Sequence, residues 1–98
     1  MPPSRFSRRV LRALSRRGAL EVLAALSQGP VRFSDLEVRL GITPRTLSER
    51  LREFVALGLV QRKAFAEVPP RVEYALTLRG RKIIEFFERM DSIWEEEG

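Results

Sequence analysis

The chain has 98 residues, enough for one domain with a single core but too few for two. Its 18 Lys and Arg residues against 13 Asp and Glu give a net charge of +5, and 44% of its residues are hydrophobic. It has no cysteine and no histidine, so disulfides, thiolate or imidazole metal ligands and a histidine general base are excluded. An enzyme is therefore the least expected class, and neither a metal nor a cofactor is predicted.

No apolar run could cross a bilayer and the N-terminus lacks a signal-peptide centre, so a cytoplasmic location without membrane contact is expected.

Positive charge is unevenly distributed along the chain. Residues 1–82 contain 17 Lys or Arg and 7 Asp or Glu, a net charge of +10, whereas residues 83–98 contain 1 and 6, a net charge of −5. A strongly basic body is typical of a protein that neutralises phosphates. The acidic end indicates that the last helix lies outside that basic surface.

The first predicted helix covers residues 5–16 and has two different sides. Phe6, Val10, Ala13 and Leu14 lie on the apolar side. The other side carries the arginines Arg5, Arg8, Arg9, Arg12 and Arg16. This cationic stripe could contact DNA phosphates, pair with an acidic partner helix, or be solvated, and the pattern alone leaves all three open.

The next segment, residues 19–26, is apolar on nearly all sides and is predicted to be the buried helix on which the domain packs. Gly29 and Pro30 follow in the order that ends a helix. Val31 and Arg32 are too few for more than a short strand.

A third helix is predicted to begin at Ser34. This residue is placed as the N-cap of a capping box with Glu37, and Phe33 and Val38 occupy the two positions of a hydrophobic staple. Gly41 then supplies a left-handed residue that ends the helix.

A fourth helix is predicted to start within three residues of that end. Thr43 is its N-cap, Pro44 takes the first helical position, and Ile42 and Leu47 can form another staple. Gly58 closes it in a Schellman ending. Two short helices joined by a tight turn indicate a helix-turn-helix, whose second helix can enter the DNA major groove.

The second helix of this pair has an apolar side and a polar side. The apolar side is formed by Leu47, Leu51, Phe54 and Val55. The side chains predicted to bind DNA are Arg45, Thr46, Ser48, Glu49 and Arg52. Arginine can bind guanine through two hydrogen bonds, and threonine or serine can bind bases or phosphates. A solvated charged face is the alternative interpretation, which the two well-defined helix starts make less favourable.

Residues 59–67 and 71–77 alternate with the period of a half-buried β-hairpin. The inner side is predicted to contain Val60, Ala64 and Ala66 on the first strand and Val72, Tyr74 and Leu76 on the second. The outer side and the tip contain Lys63, Phe65, Glu67 and Arg71, with two prolines stiffening the turn. Lys63 and Arg71 are the predicted DNA contacts of this hairpin.

The closing helix is predicted to begin after Thr77 and to run to about residue 95. Apolar residues cover about half of its surface, which is more than a helix lying on a small domain normally buries. We predict a homodimer whose interface contains Phe6, Val10, Ile84, Phe86, Met90, Ile93 and Trp94. A helix packed entirely into its own core is the alternative.

This order of elements predicts a single domain over residues 1–98, mainly α-helical with a small β-hairpin wing: a winged helix-turn-helix. The segment from Gly29 to Gly80 also resembles the HxlR-type transcriptional regulators, within the MarR-like group. The residues that carry the resemblance are RFSDL, TLSERLREF, GLV and VPPRVEYALT, and the segment covers about half the chain.

The resemblance implies a dimeric bacterial or archaeal repressor or activator. It implies a recognition helix in the major groove, a wing against the DNA backbone or minor groove, and terminal helices at the dimer interface. Carried over by position, the groove contacts are Arg45, Thr46, Ser48, Glu49 and Arg52, and the wing contact is Arg71. Many members sense oxidants through a cysteine, which this chain lacks.

The sequence thus predicts a sequence-specific regulator that binds double-stranded DNA as a homodimer on an inverted repeat. Two other functions stay open: a winged helix used as a protein-interaction module, and a nonspecific chromatin-like DNA-binding protein. The basic groove face disfavours the first, and Glu49 on that face disfavours the second. No effector can be named from the residues.

Overall fold

The computed structural model describes residues 4–97. Its elements, in chain order, are α1 (Arg5–Ser15), α2 (Ala19–Ala25), β1 (Val31–Arg32), α3 (Phe33–Leu40), α4 (Pro44–Ala56), β2 (Val60–Phe65), β3 (Arg71–Leu76) and α5 (Leu78–Glu97). The predicted order of helices, hairpin and closing helix is confirmed. No helix within the described residues is both long and apolar enough to cross a membrane.

Helix α2 packs on the core through one face only. Ala19, Val22 and Leu23 are buried, whereas Leu20 and Glu21 are exposed. The helix therefore packs in the core as predicted, but the prediction of a buried helix holds for one face only. Seven residues make only about two turns, and the neighbouring helices cover one side of them.

Helix α3 begins one residue before the predicted cap. Phe33 is its first residue, and Arg32 precedes it in an extended conformation without a side-chain cap. Ser34 lies exposed inside the first turn, and Val38 is 83% exposed, so both the predicted capping box and the staple are wrong. The physical reason is that Arg32 pairs with Glu73 in the sheet, which holds the chain extended up to Phe33.

Helix α4 begins and ends as predicted. The Thr46 N–H donates to Thr43 Oγ1 at 3.2 Å, and Pro44 is the first helical residue. At the other end Gly58 is left-handed with φ 74°, and the Leu59 N–H donates to the Phe54 carbonyl oxygen at 2.9 Å. Both are features of a Schellman ending.

The buried side of α4 is narrower than predicted. Leu47, Leu51 and Phe54 belong to the core, but Val55 is exposed. Val55 lies at the margin of the apolar stripe, where the hairpin strand β2 leaves one side of the helix open.

Replacing the two predicted caps by alanine should have different effects. Thr43→Ala should lower the free energy of unfolding by about 1 kcal/mol because the Thr46 N–H loses its acceptor. Ser34→Ala is the matched control and should change it by less than about 0.5 kcal/mol. Denaturant unfolding of both variants measures the difference. An equal loss for both, or no loss for Thr43→Ala, would contradict this interpretation of the caps.

Three antiparallel strands form the sheet in the order β1-β3-β2. Val31 pairs with Tyr74, and Val60, Arg62 and Ala64 face Leu76, Tyr74 and Val72 across the hairpin. The hairpin prediction is confirmed, but Ala64 and Ala66 are exposed rather than half-buried. The far half of the hairpin extends beyond the core as a wing, so only Val60 of strand β2 is buried.

Hydrogen bonds of Thr77 join the end of α4 to the start of α5. The Thr77 Oγ1 hydroxyl donates to the Gly58 carbonyl oxygen at 2.6 Å and accepts from the Gly80 N–H at 3.1 Å, which makes it the predicted cap of the closing helix. The Thr77 N–H also donates to the Leu59 carbonyl oxygen at 3.0 Å. These bonds fix the start of α5 against the end of α4.

The core lies between α2, α3, α4 and the base of the sheet. Helix α5 starts against this core and extends away from it toward its C-terminal end. Ile83, Ile84 and Phe87 pack partly against the core, whereas every residue from 88 to 96 is exposed. The second half of α5 therefore has no cover within the described part of the chain.

Candidate nucleic-acid interface

The outer face of α4 presents the five side chains predicted to bind DNA. Arg45, Glu49 and Arg52 are exposed, and Thr46 and Ser48 are half-buried. Arg45 Nε donates to Glu49 Oε1 at 3.3 Å, and the Arg45 side chain is 90% exposed. An exposed pair one helical turn apart contributes only about 0.3–0.5 kcal/mol, so Arg45 can exchange Glu49 for a base at little cost.

Arg50, on the side of α4, holds the helix in place. Its Nε donates to the Arg17 carbonyl oxygen at 2.8 Å, and its side chain is only 14% exposed. Sequence reasoning missed this residue because its partner lies 33 positions away in the turn between α1 and α2. The bond ties the recognition helix to the N-terminal half of the domain.

The outer face of the wing is organised around Arg71. Its guanidinium lies 4.0 Å from the centre of the Phe65 ring, with Nη2 3.3 Å from Glu67 Oε1 and Nε 3.5 Å from Glu73 Oε2. Both carboxylates compensate its charge. Arg71 therefore stabilises the folded wing. It can bind a phosphate only if the guanidinium is shared with the two carboxylates or breaks its ion pairs with them.

Lys63 is the other predicted wing contact, and it is exposed on the same outer face. Its Nζ lies 5.2 Å from the centre of the Phe65 ring, and Glu73 is its register partner on β3. No carboxylate of the described residues forms an ion pair with Lys63. The ammonium thus faces an aromatic ring and not a carboxylate, so its charge is not neutralised by an ion pair within the described residues.

A cleft of about 250 Å³ separates α4 from the wing. Its lining residues are Ser48, Arg52, Val55, Arg62 and Tyr74. Arg62 was missed among the candidate site residues, although the period of two from Val60 places it on the inner face of β2. This alternation is the signal that could have identified it.

A larger open cleft of about 880 Å³ lies between the start of α3 and the wing. Arg32, Arg62 and Arg71 line it together with the Phe33 and Tyr74 rings, whose centres are 6.4 Å apart. Glu67 also lines this cleft and pairs with Arg71, so Arg32 and Arg62 are its arginines without an ion pair among the described residues.

No group of three or more Asp or Glu side chains in residues 4–97 is arranged to hold a metal ion. The described side chains of the interface are instead dominated by arginines and hydroxyls. Such an arrangement can bind phosphates and base edges.

A helix-turn-helix whose second helix carries an exposed polar face, followed by a two-stranded wing, defines the chain as a winged helix-turn-helix domain. The HxlR-like helix-turn-helix family model matches residues 13–97. The chain belongs to that family, and the resemblance inferred from the sequence is confirmed.

Relatives in this family are transcriptional regulators. An HTH-type transcriptional regulator from Methanothermobacter thermautotrophicus is 43% identical over 70 residues, covering 70% of this chain and 53% of that protein. The HTH-type transcriptional regulator YtfH from Escherichia coli is 38% identical over 80 residues, covering 81% of this chain and 64% of that protein. The chain thus spans between half and two thirds of the length of these relatives.

Solved structures share the whole architecture. The reduced form of the transcriptional regulator YodB from B. subtilis superimposes with a TM-score of 0.82 at 26% identity, over 93% of this chain and 90% of that chain. This similarity confirms the winged-helix fold, including the closing helix.

Proposed function

We propose that this chain is a sequence-specific transcriptional regulator that binds DNA as a homodimer on an inverted-repeat operator. The observation that carries the proposal is the exposed polar face of α4, which stands beside a cationic wing in a chain of the HxlR-like family. A helix presented in this way fits the width of the major groove.

Base recognition is assigned to the first turns of α4. Arg45 would donate two hydrogen bonds to guanine, and Glu49 can accept from the cytosine amino group. Thr46 and Ser48 would bind bases or the flanking phosphates, with Arg52 further along the helix. Because Arg45 and Glu49 already contact each other, one residue can position the other when the helix enters the groove.

The wing would contribute sequence-independent affinity. Lys63 is its available cation, and Arg71 holds the wing in shape through Glu67 and Glu73. A phosphate near Arg71 would be attracted less than one near Lys63, because the two carboxylates already neutralise the guanidinium.

A homodimer is supported by exposed apolar side chains at both ends of the chain. Large exposed residues are found on α1 at Phe6 and, from the middle of α5 onward, at Phe86, Met90, Ile93 and Trp94. Val10 and Ile84 lie beside them, partly packed against the core. Large exposed apolar side chains of this kind are typical of an interface, and a two-fold dimer would bury those of both subunits.

Charge complementarity supports the same pairing. The α1 arginines form no ion pair among the described side chains, and the acidic residues of α5 form none either. In an antiparallel arrangement, the cationic stripe of one subunit can approach the acidic helix end of its partner. A two-fold dimer then places two recognition helices about 34 Å apart, one turn of DNA.

The proposal is tested by selecting binding sites from a random-sequence duplex pool and then replacing Arg45. Selection should return an inverted repeat with half-sites about one helical turn apart. Arg45→Ala should cost about 1–3 kcal/mol at that site and abolish the preference at one base pair of each half-site. Competition binding with single base-pair substitutions measures both effects.

Arg45→Lys is the control, since it keeps the charge but lacks the planar guanidinium that presents two parallel N–H donors to guanine. It should weaken base preference while retaining affinity for unrelated sequences. Selection without any common motif would contradict sequence-specific binding and favour a nonspecific DNA-binding protein. An equal loss on all sequences for Arg45→Ala would reduce Arg45 to a phosphate contact.

A further inference from the structure

The arginines around the DNA-facing surface differ in whether their charge is already compensated. Arg45 pairs with Glu49, and Arg71 pairs with Glu67 and Glu73. Arg52 and Arg62 form neither an ion pair nor a side-chain hydrogen bond with any described residue. These two uncompensated cations line the same cleft, one from α4 and the other from β2.

The other lining residues of this cleft suit an anion. Ser48 and Tyr74 each bring a hydroxyl, Val55 supplies one apolar wall, and no carboxylate belongs to the lining. Neither hydroxyl has a hydrogen-bond partner among the described residues. Two cations and two free donors therefore meet in a space of about 250 Å³, with nothing negative to balance them.

Tyr74 forms one wall of the cleft and is held in place by contacts on both sides. It pairs with Val31 on one side and with Arg62 on the other, and its ring packs against Phe33 at 6.4 Å. The central strand thus fixes the position from which Arg62 leaves the sheet. A group bound in the cleft would contact the recognition helix and the wing together.

We propose that Arg52 and Arg62 form a phosphate clamp, in which one phosphodiester of duplex DNA is held between α4 and the wing with Ser48 and Tyr74 as further donors. The inference rests on the proposed DNA-binding function and adds to it a residue, Arg62, that the groove and wing-tip contacts do not include. Because a phosphate carries no base information, the clamp sets the position of α4 in the groove and contributes equally on every sequence.

Binding of a mixed-sequence duplex about two helical turns long tests the clamp, measured by fluorescence anisotropy at several salt concentrations. Arg62→Ala should lower affinity about eightfold at about 0.1 M salt and reduce the slope of log K against log salt by about 0.9. Arg62→Lys should recover most of the loss. Arg81→Ala changes the charge equally on an exposed site of α5 and should change affinity less than about twofold.

The Arg52→Ala, Arg62→Ala double variant distinguishes one shared phosphate from two separate contacts. If both arginines hold the same phosphate, the double variant should bind about as weakly as one single variant. Fold losses that multiply would overturn the clamp, as would an equal loss for Arg81→Ala. Unchanged thermal unfolding of each variant verifies that the loss arises in binding.

Two further arms separate the clamp from its alternatives. Inorganic phosphate is added at constant ionic strength. Displacement of the duplex that depends on Arg62 would support a shared phosphate site, whereas Arg62-dependent binding of phosphate that leaves the duplex bound would overturn the clamp in favour of a separate small-anion site. Wild-type protein that fails to bind any duplex at low salt would refute the proposed function itself. Normal duplex binding that is unaffected by Arg62→Ala would refute only the clamp.

Discussion

A Phe86→Glu, Ile93→Glu double variant is expected to sediment as a folded monomer at concentrations where the wild-type chain is a dimer. Phe86 is 57% and Ile93 55% exposed, so neither supports the core of its own subunit. Burying a large apolar side chain contributes about 1.5–3 kcal/mol, whereas an exposed ion pair gives about 0–1 kcal/mol. Apolar contact should therefore supply most of the affinity, and two buried carboxylates should abolish it.

Sedimentation equilibrium at micromolar concentration measures this effect, and circular dichroism verifies the fold. The matched control is Arg81→Glu, which makes the same change in net charge at an exposed position of α5 beside the turn after α2, away from Phe86 and Ile93. It should remain dimeric, and added salt should weaken the wild-type dimer only slightly. A monomeric wild-type protein would refute the dimer, and a double variant that stays dimeric would place the interface elsewhere.

Gly80→Ala is expected to destabilise the domain by about 1–3 kcal/mol, although alanine is the better helix former by about 1 kcal/mol. Gly80 is buried in the first turn of α5, and a methyl group there would overlap the Leu59 carbonyl oxygen. That oxygen also accepts the Thr77 N–H, so relieving the overlap would displace the junction between α4 and α5.

Thermal unfolding should show a fall in Tm of about 5–25 °C for a domain of this size. Arg81→Ala, at the next position of the same helix, is the control and should stay within about 0.5 kcal/mol of the wild type. A Tm that is unchanged or higher for Gly80→Ala would mean that helix propensity outweighs the close approach, and would contradict the expected result.

The helix-turn-helix could be predicted because its signals are local. Thr43 with Pro44 and the left-handed Gly58 specify the start and end of α4 within a few residues, and the structure has both. The wing strands were predicted for the same reason, since the period of two repeats along each arm. Local patterns of this kind need no knowledge of the rest of the fold.

The errors arose where a distant contact decides the local structure. Ser34 has the correct neighbours for an N-cap, but pairing of Arg32 with Glu73 sets the cap of α3 two residues earlier, at Arg32. Arg50 shows the same limit, because its partner Arg17 is close only after the domain has folded. Arg62 is a different case. The alternation from Val60 already places Arg62 on the inner face of β2, but only the cleft that it lines together with Arg52 indicates that it could be a site residue.

The rigid junction at Thr77 determines how a change at a dimer interface would reach DNA. Its hydroxyl forms one hydrogen bond with the end of α4 and one with the start of α5. Because these bonds leave no hinge between the two helices, we expect α4 and α5 to move together as one rigid unit. Helix α5 has 20 residues, so a rotation of about 5° between paired α5 helices over a length of about 30 Å displaces the far end by about 3 Å. Successive base pairs lie about 3.4 Å apart. A small change in how two subunits meet would therefore shift one recognition helix against its half-site by nearly one base pair.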